Sequence, residues 1–221
     1  MDVVSVIIPT LNEKEAVEDV IDDIPEERLQ EKGYEVELVA VDGGSSDGTL
    51  EILNKSEIKV LHSDEGKAEG VREGLKNVNG DLIFLIDGDG SYACKKIPIM
   101  LEELEKGSEM VLGSRLEGDI SNGAMPTKNK IGNRILTWLA NRLYGTDISD
   151  LCTGLRGFRC DGLNPEEIPG DGFEIEAGLH AVFSEKDISE VSIDYRERKG
   201  ESKLVTFDGF RIAFRLLREK F

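Results

Sequence analysis

Six positions from Val3 to Ile8, five of them β-branched, predict a strand that Pro9 closes. An acidic stretch from Glu13 then places Ala16, Val17, Val20, Ile21 and Ile24 at helical spacing. Glu35–Val41 is a second strand, ended by the turn-rich segment Asp42–Thr49; Thr49–Leu53 opens a short helix and Ile58–Leu61 is a third strand. Ala68–Val78 has the period of a helix with Val71 and Leu75 inward. Asp81–Ile86 is the most hydrophobic strand and does not alternate, which predicts burial on both faces. A helix over Ile97–Glu105 and a strand over Glu109–Gly113 follow. Strands alternating with helices over short loops predict an α/β fold with a mainly parallel sheet. Right-handed crossovers bring ligands to the carboxyl ends of such strands, where Pro9–Glu13, Asp42–Thr49 and Asp87–Tyr92 would gather.

The second half is less regular. Lys128–Tyr144 has helical spacing, with Ile131, Ile135, Trp138, Leu139 and Leu143 on one face. Asp150–Arg159 mixes turn and strand, Phe173–Phe183 is a helix, and Ile188–Tyr195 is an alternating strand. Phe207–Phe221 is a basic amphipathic helix. No repeat or long linker divides residues 1–221, so a single domain is expected.

Composition narrows the function. With 27 basic and 45 acidic side chains the net charge is −18, which argues against a nucleic-acid partner. No apolar run approaches the roughly 18 residues that span a bilayer, and the N-terminus has no basic leader. Three cysteines without CxxC spacing fit reduced thiols in a cytoplasm. Against this acidic background residues 120–146 carry Lys128, Lys130, Arg134 and Arg142 and no acid. With Trp138 and Tyr144 this stretch has the character of a membrane-interface surface, the alternative being an ordinary core helix. The tail repeats the pattern, with Phe207, Phe210, Phe214, Leu217 and Phe221 among Arg211, Arg215, Arg218 and Lys220.

The strongest chemical signal is Asp87-Gly-Asp89, directly after the buried strand. Two carboxylates on one tight turn suit a hard divalent cation with open positions for phosphate oxygens; a solvated turn is the plain alternative. An EF-hand is excluded, because Tyr92 and Pro98 stand where its glycine and glutamate must be. Gly88-x-Gly90-x-x-Ala93 matches a loose dinucleotide fingerprint, but the flanking carboxylates would repel a bare pyrophosphate. Asp42 ends a strand where a carboxylate can bind a ribose or base edge. Gly44-x-Ser46-x-Gly48 lacks both the sharp elbow and a suitably ordered histidine of a serine hydrolase. Lys67 precedes a helix, Arg115 follows a strand in Gly-Ser-Arg, and Arg198 and Lys203 flank Gly200-x-Ser202.

Together these segments resemble family 2 glycosyltransferases of the A-type fold, in the branch of polyprenyl- or dolichyl-phosphate sugar synthases, and are most similar to archaeal enzymes of N-glycosylation. The carrying motifs are SVIIPTLNE (Ser5–Glu13), VDGGSSDGT (Val41–Thr49), GKAEGVREGL (Gly66–Leu75), IDGDGSY (Ile86–Tyr92), GSR (Gly113–Arg115), DLCTGLRGF (Asp150–Phe158), FEIE (Phe173–Glu176) and RKGESKL (Arg198–Leu204). The resemblance implies a Rossmann-like sheet flanked by helices. Residues 1–115 would form a nucleotide-sugar-binding half, 116–204 a less regular acceptor half, and 205–221 the amphipathic helix. Pro9, Thr10, Asn12, Glu13, Asp42 and Gly44 would line the nucleoside pocket, with Lys67 near the nucleotide. Asp87 and Asp89 would face the nucleotide sugar as ligands of Mg²⁺ or Mn²⁺. Ser91, where many members have a coordinating glutamine, is the third candidate ligand. Arg115, Lys130 and Arg134 would hold the acceptor phosphate, and Arg198 and Lys203 would close over the donor diphosphate. Gly43 replaces a frequent aspartate, and no transmembrane pair follows Phe221, so association with the cytoplasmic face of the membrane is expected to be peripheral.

The implied reaction is inverting transfer of a hexose-type sugar from a nucleoside-diphosphate sugar to dolichyl or polyprenyl phosphate, with Asp87, Asp89, Arg115 and Arg198 as the catalytic set. A phosphate nucleophile carries about −1.5 to −2 charges and needs no general base. The alternatives are a family 2 enzyme with a soluble hydroxyl acceptor, using Glu174 or Glu176 as base, and a non-catalytic nucleotide-sugar-binding protein.

Overall fold

Strand β1 (Val3–Thr10) is the third of seven strands across the sheet in a computed structural model that describes residues 2–64, 66–200, 203 and 206–221. Glu201, Ser202 and Leu204 of the RKGESKL motif lie outside the described residues. β1 pairs in parallel with β2 (Glu35–Asp42) on one side and β4 (Leu82–Leu85) on the other, and β2 pairs with β3 (Lys59–His62). Beyond β4 come β6 (Arg156–Arg159), β5 (Met110–Ser114) and β7 (Ile188–Ser192), giving the order β3-β2-β1-β4-β6-β5-β7. Among the described strands β6 alone runs antiparallel, against both β4 and β5. The mainly parallel sheet expected from the alternating pattern is thus present, with one reversed strand inside it.

The helices are α1 (Val17–Asp23), α2 (Glu26–Glu31), α3 (Thr49–Leu53), α4 (Lys67–Lys76), α5 (Ile97–Glu105), α6 (Thr127–Tyr144), α7 (Ile175–Phe183) and α8 (Thr206–Lys220). They form two apolar cores, one on each face of the sheet. One packs Val4, Val6 and Ile8 with Leu82, Phe84, Ile86 and the inward sides of α1 and α5. The other packs Ile7, Ile83 and Leu85 with α4, α6, α7 and Leu216 of α8. Every side chain from Leu82 to Ile86 is buried, as the unbroken run predicts. Helix α4 lies close to β1 because Gly74 has no Cβ; one built there would stand 2.6 Å from Ile7 Cγ2.

Helix α6 turns an unexpected face inward. Its buried positions are Asn133, Leu136, Thr137 and Ala140, whereas Ile131, Ile135 and Trp138 are exposed; Leu139 and Leu143 pack partly against the core. The buried polar groups are satisfied: Asn133 Nδ2 donates to Asp150 and Thr137 Oγ1 accepts from the Leu151 N–H. α8 packs beside α6 with Phe207, Phe210, Phe214, Leu217 and Phe221 outward.

Candidate active site

The chain runs outward from β1 to β3 and then returns to β4 on β1's other side, so a crevice opens between β1 and β4 at their carboxyl ends. A cleft of about 360 Å³ occupies this place. Its floor carries Pro9 and Thr10 from the end of β1, Glu13 from the loop that follows, and Asp87, Gly88 and Asp89 from the loop after β4. Lys67 opens α4 on one wall; Arg198, Lys203 and, from α8, Arg211 complete the rim. Eight expected residues therefore meet in one cavity: Pro9, Thr10, Glu13, Lys67, Asp87, Asp89, Arg198 and Lys203.

The two aspartates of the tight turn have different surroundings. Lys67 Nζ lies 2.6 Å from Asp87 Oδ1 and 2.6 Å from Glu176 Oε1 of α7. Burial works to lower the Lys67 ammonium's pKa, but its two carboxylate partners outweigh burial and raise it above the usual lysine range. Burial likewise opposes ionisation of Asp87, yet the Lys67 charge holds its carboxyl below the ordinary value. A Cβ at position 154 would stand 2.1 Å from Asp87 Oδ2, so Gly154 is the residue that lets this carboxylate sit where it does. Asp89 is almost buried and is oriented from below: the Ser91 N–H and hydroxyl both donate to Oδ1, at 2.9 and 2.5 Å. Asp89 Oδ2 is left with Arg198 Nη1 at 3.4 Å.

Arg198 and Lys203 both pair with Glu13, Arg198 Nη2 at 3.4 Å. Burial raises the Glu13 carboxyl's pKa despite these cations. An anion entering the cleft would compete for two cations that Glu13 holds, one of them also shared with Asp89. Asn12, in the left-handed region at φ 49°, staples the loops after β1 and β2: its N–H donates to Ser45 Oγ and its Oδ1 accepts from the Ser46 N–H. Asp42 is fully buried; its Oδ2 accepts from the Gly44 and Ser45 N–H groups and its Oδ1 has no protein partner.

Expectations about four individual residues are corrected. Ser91 is fully buried and spends its donors on Asp89, so it positions a carboxylate and does not offer an oxygen to the cleft. Arg115 does not reach the cleft either. Its guanidinium is clamped on Asp150 through Nε–Oδ2 and Nη2–Oδ1 bonds of 2.8 Å, donates to Tyr92 Oη at 3.2 Å, and is packed near the rings of Tyr92 and Tyr195. Lys130 and Arg134 lie on α6, Arg134 on its exposed side, and neither lines the cleft. Conversely, Glu176 and Arg211 belong to the site without having been singled out as binding residues.

The donors fit a hard divalent cation that completes its shell from a substrate. Among the described residues no group of three or more His, Cys, Asp or Glu side chains is arranged to hold an ion alone. Asp89 supplies one oriented carboxylate with an oxygen on the cleft side, which suits a cation whose other ligands are diphosphate oxygens and water.

A mainly parallel sheet thus carries, at the carboxyl ends of its strands, a cleft with two aspartates on one turn and a cationic rim. The chain belongs to glycosyl transferase family 2, whose pattern matches residues 5–164. It is 32% identical over 212 residues to the dolichyl-phosphate hexose transferase of Haloferax volcanii, covering 94% of this chain and 89% of that one. It is 33% identical over 189 residues to glycosyltransferase AglJ of the same organism, covering 85% of this chain but 60% of the relative's length. A structural neighbour with the A-type glycosyltransferase fold is glucosyl-3-phosphoglycerate synthase from Mycobacterium tuberculosis with Mn²⁺, uridine diphosphate and glucosyl-3-phosphoglycerate. The TM-score is 0.75 at 20% identity, over 99% of this chain and 80% of that one.

Proposed function

We propose that the protein transfers a hexose-type sugar from a nucleoside-diphosphate sugar to dolichyl or another polyprenyl phosphate, at a membrane surface. An oxygen of the acceptor phosphate attacks the anomeric carbon from the side opposite the diphosphate. The anomeric carbon–oxygen bond breaks, and its electron pair leaves with the nucleoside diphosphate. A bound Mg²⁺ or Mn²⁺, held by Asp89 with Asp87 beside it, would supply Lewis-acid stabilisation of that leaving group, in line with the Mn²⁺ of the structural neighbour. Arg198 and Lys203 neutralise the developing charge from the rim. Lys67, fixed between Asp87 and Glu176, keeps the Asp87 carboxylate ionised and oriented. The names of archaeal relatives support the lipid-phosphate acceptor.

One observation carries the choice of acceptor. α6 and α8 lie side by side and expose Ile131, Ile135, Trp138, Phe207, Phe210 and Phe214, with Lys128, Arg134, Arg142, Arg211 and Arg218 among them. In a chain of net charge −18 this basic and apolar surface matches an anionic lipid surface. No helix among the described residues is long and apolar enough to cross a membrane. The soluble-hydroxyl alternative needs a base, yet Glu176 Oε1 is taken by Lys67 and Glu174 is nearly buried. Changing Phe210 and Phe214 together to Ser tests the surface. Each phenyl group contributes roughly 1.5–3 kcal/mol when fully withdrawn from water. Binding to vesicles of anionic phospholipid should therefore fall at least about tenfold, with transfer to vesicle-borne dolichyl phosphate falling alongside. Co-sedimentation unchanged in the double variant would contradict the membrane reading.

A further inference from the structure

We propose that Arg211 of α8 receives the phosphate of the acceptor, an assignment that rests on the lipid-phosphate reading above. Four cationic side chains line the cleft among the described residues, and three are committed. Lys67 is held by Asp87 and Glu176, Arg198 by Glu13 and Asp89, and Lys203 by Glu13. Arg211 approaches Glu174 Oε1 at 3.5 Å, and its side chain is 46% exposed. Arg198 has two carboxylate partners at 3.4 Å and is half as exposed; Arg211, with one carboxylate at a similar distance, keeps more of its planar fork for an incoming anion, and a phosphate monoester offers three acceptor oxygens.

The position of Arg211 on its helix suits an amphiphilic acceptor. Phe207 lies four residues before Arg211 and Phe214 three after, so the three side chains share one side of α8, and both rings are exposed. An amphiphile whose chain lies along these rings brings its headgroup to Arg211, at the edge of the cleft. Arg215, one turn on, is tied to Asp171 and Glu219, and Arg218 is not part of the cleft lining. Glu174 and Asp208 stand close to the same wall. Losing Arg211 leaves Glu174 with Arg215 Nη2 at 4.0 Å and takes the most exposed positive charge from this wall of the cleft.

The test compares Arg211→Gln and Arg211→Lys with Arg218→Gln. Initial rates are measured with dolichyl phosphate and with a short, water-soluble isoprenyl phosphate, and nucleotide-sugar affinity by calorimetry. Arg211→Gln should raise the KM for both phosphates at least about tenfold, because a charge-assisted bond is lost. Nucleotide-sugar Kd should stay within about twofold on the same ground, since the rim cations Arg198 and Lys203 remain. Arg211→Lys should fall between Gln and wild type, and it carries the comparison if thermal melts show the Gln variant unfolded. Arg218→Gln should leave the KM for the soluble phosphate unchanged. A folded Arg211→Gln variant with wild-type KM for the soluble phosphate overturns the assignment, as does an equal loss of nucleotide-sugar affinity. In either case the proposed function stands if wild type still glycosylates the lipid. A wild-type protein that transfers to neither phosphate overturns the function, and Arg211 with it.

Discussion

Asp89→Asn is expected to lower sugar transfer by about a hundredfold or more while leaving the melting temperature close to that of the wild type. Asn keeps the shape, and its side-chain oxygen can still accept the two bonds from Ser91 that orient this group. The negative charge goes. A divalent cation then binds more weakly, and the departing diphosphate loses a stabilisation usually worth several kcal/mol. Each ~1.4 kcal/mol is a factor of ten in rate. The fold should tolerate the change, because Asp89 faces a cleft and one of the nearby carboxylate charges is removed. Rates across a Mn²⁺ and Mg²⁺ titration, with melts on the same samples, check both halves. Near-normal turnover in the Asn variant would remove Asp89 from the metal site and return the turn to a solvated one.

The second large effect is on stability. Arg115→Ala should destabilise the protein by about 3–5 kcal/mol, because it strands the fully buried Asp150 carboxylate. In a chain of this size that is a fall in Tm on the order of 10 °C. Among the described residues, the Asn133 side chain and the backbone N–H at position 115 would still donate to Asp150. Arg115→Met combined with Asp150→Asn should recover much of the loss, since no buried charge is then left unpaired. The pH dependence has a definite sign. Burial pushes the Asp150 carboxyl up, but Arg115 outweighs it, so the folded pKa is lowered. The pair therefore contributes fully above the unfolded value of about 4, and its contribution is lost as pH falls through the lower folded pKa. Denaturant midpoints at neutral pH and near pH 3 measure this. An Arg115→Ala variant of wild-type stability that fails only with the acceptor would put this side chain back at the acceptor phosphate.

The strands around the cleft were legible because their signals are local. Apolar runs ending near Pro9, Asp42 and Asp87 place three strand ends on one sheet edge, and Pro9, Thr10, Glu13, Asp87 and Asp89 of the cleft lie there. α2 was not anticipated, since Glu26–Glu31 is polar with Leu29 as its one buried residue. Arg115 in Gly-Ser-Arg looks available until the fold brings Asp150 to it from 35 residues away. The apolar stripe of α6 could not reveal which side faces inward, because Asn133 and Thr137 are buried through bonds to the segment at Asp150 and Leu151. Arg211 was visible as one more charge on a basic tail; only the packing of α8 on α6 and α7 brings it to the cleft.

The most direct test of the account is transfer itself. Wild-type protein is incubated with a panel of radiolabelled nucleoside-diphosphate sugars, Mn²⁺ or Mg²⁺, and dolichyl phosphate in anionic vesicles, with soluble glycosyl acceptors in parallel. One donor's label is expected to move into the organic phase as an acid-labile lipid phosphate sugar, chelator should abolish the transfer, and the soluble acceptors should stay unlabelled. Label appearing only in a soluble hydroxyl acceptor, or nucleotide-sugar binding with no turnover across the panel, would contradict the proposed function.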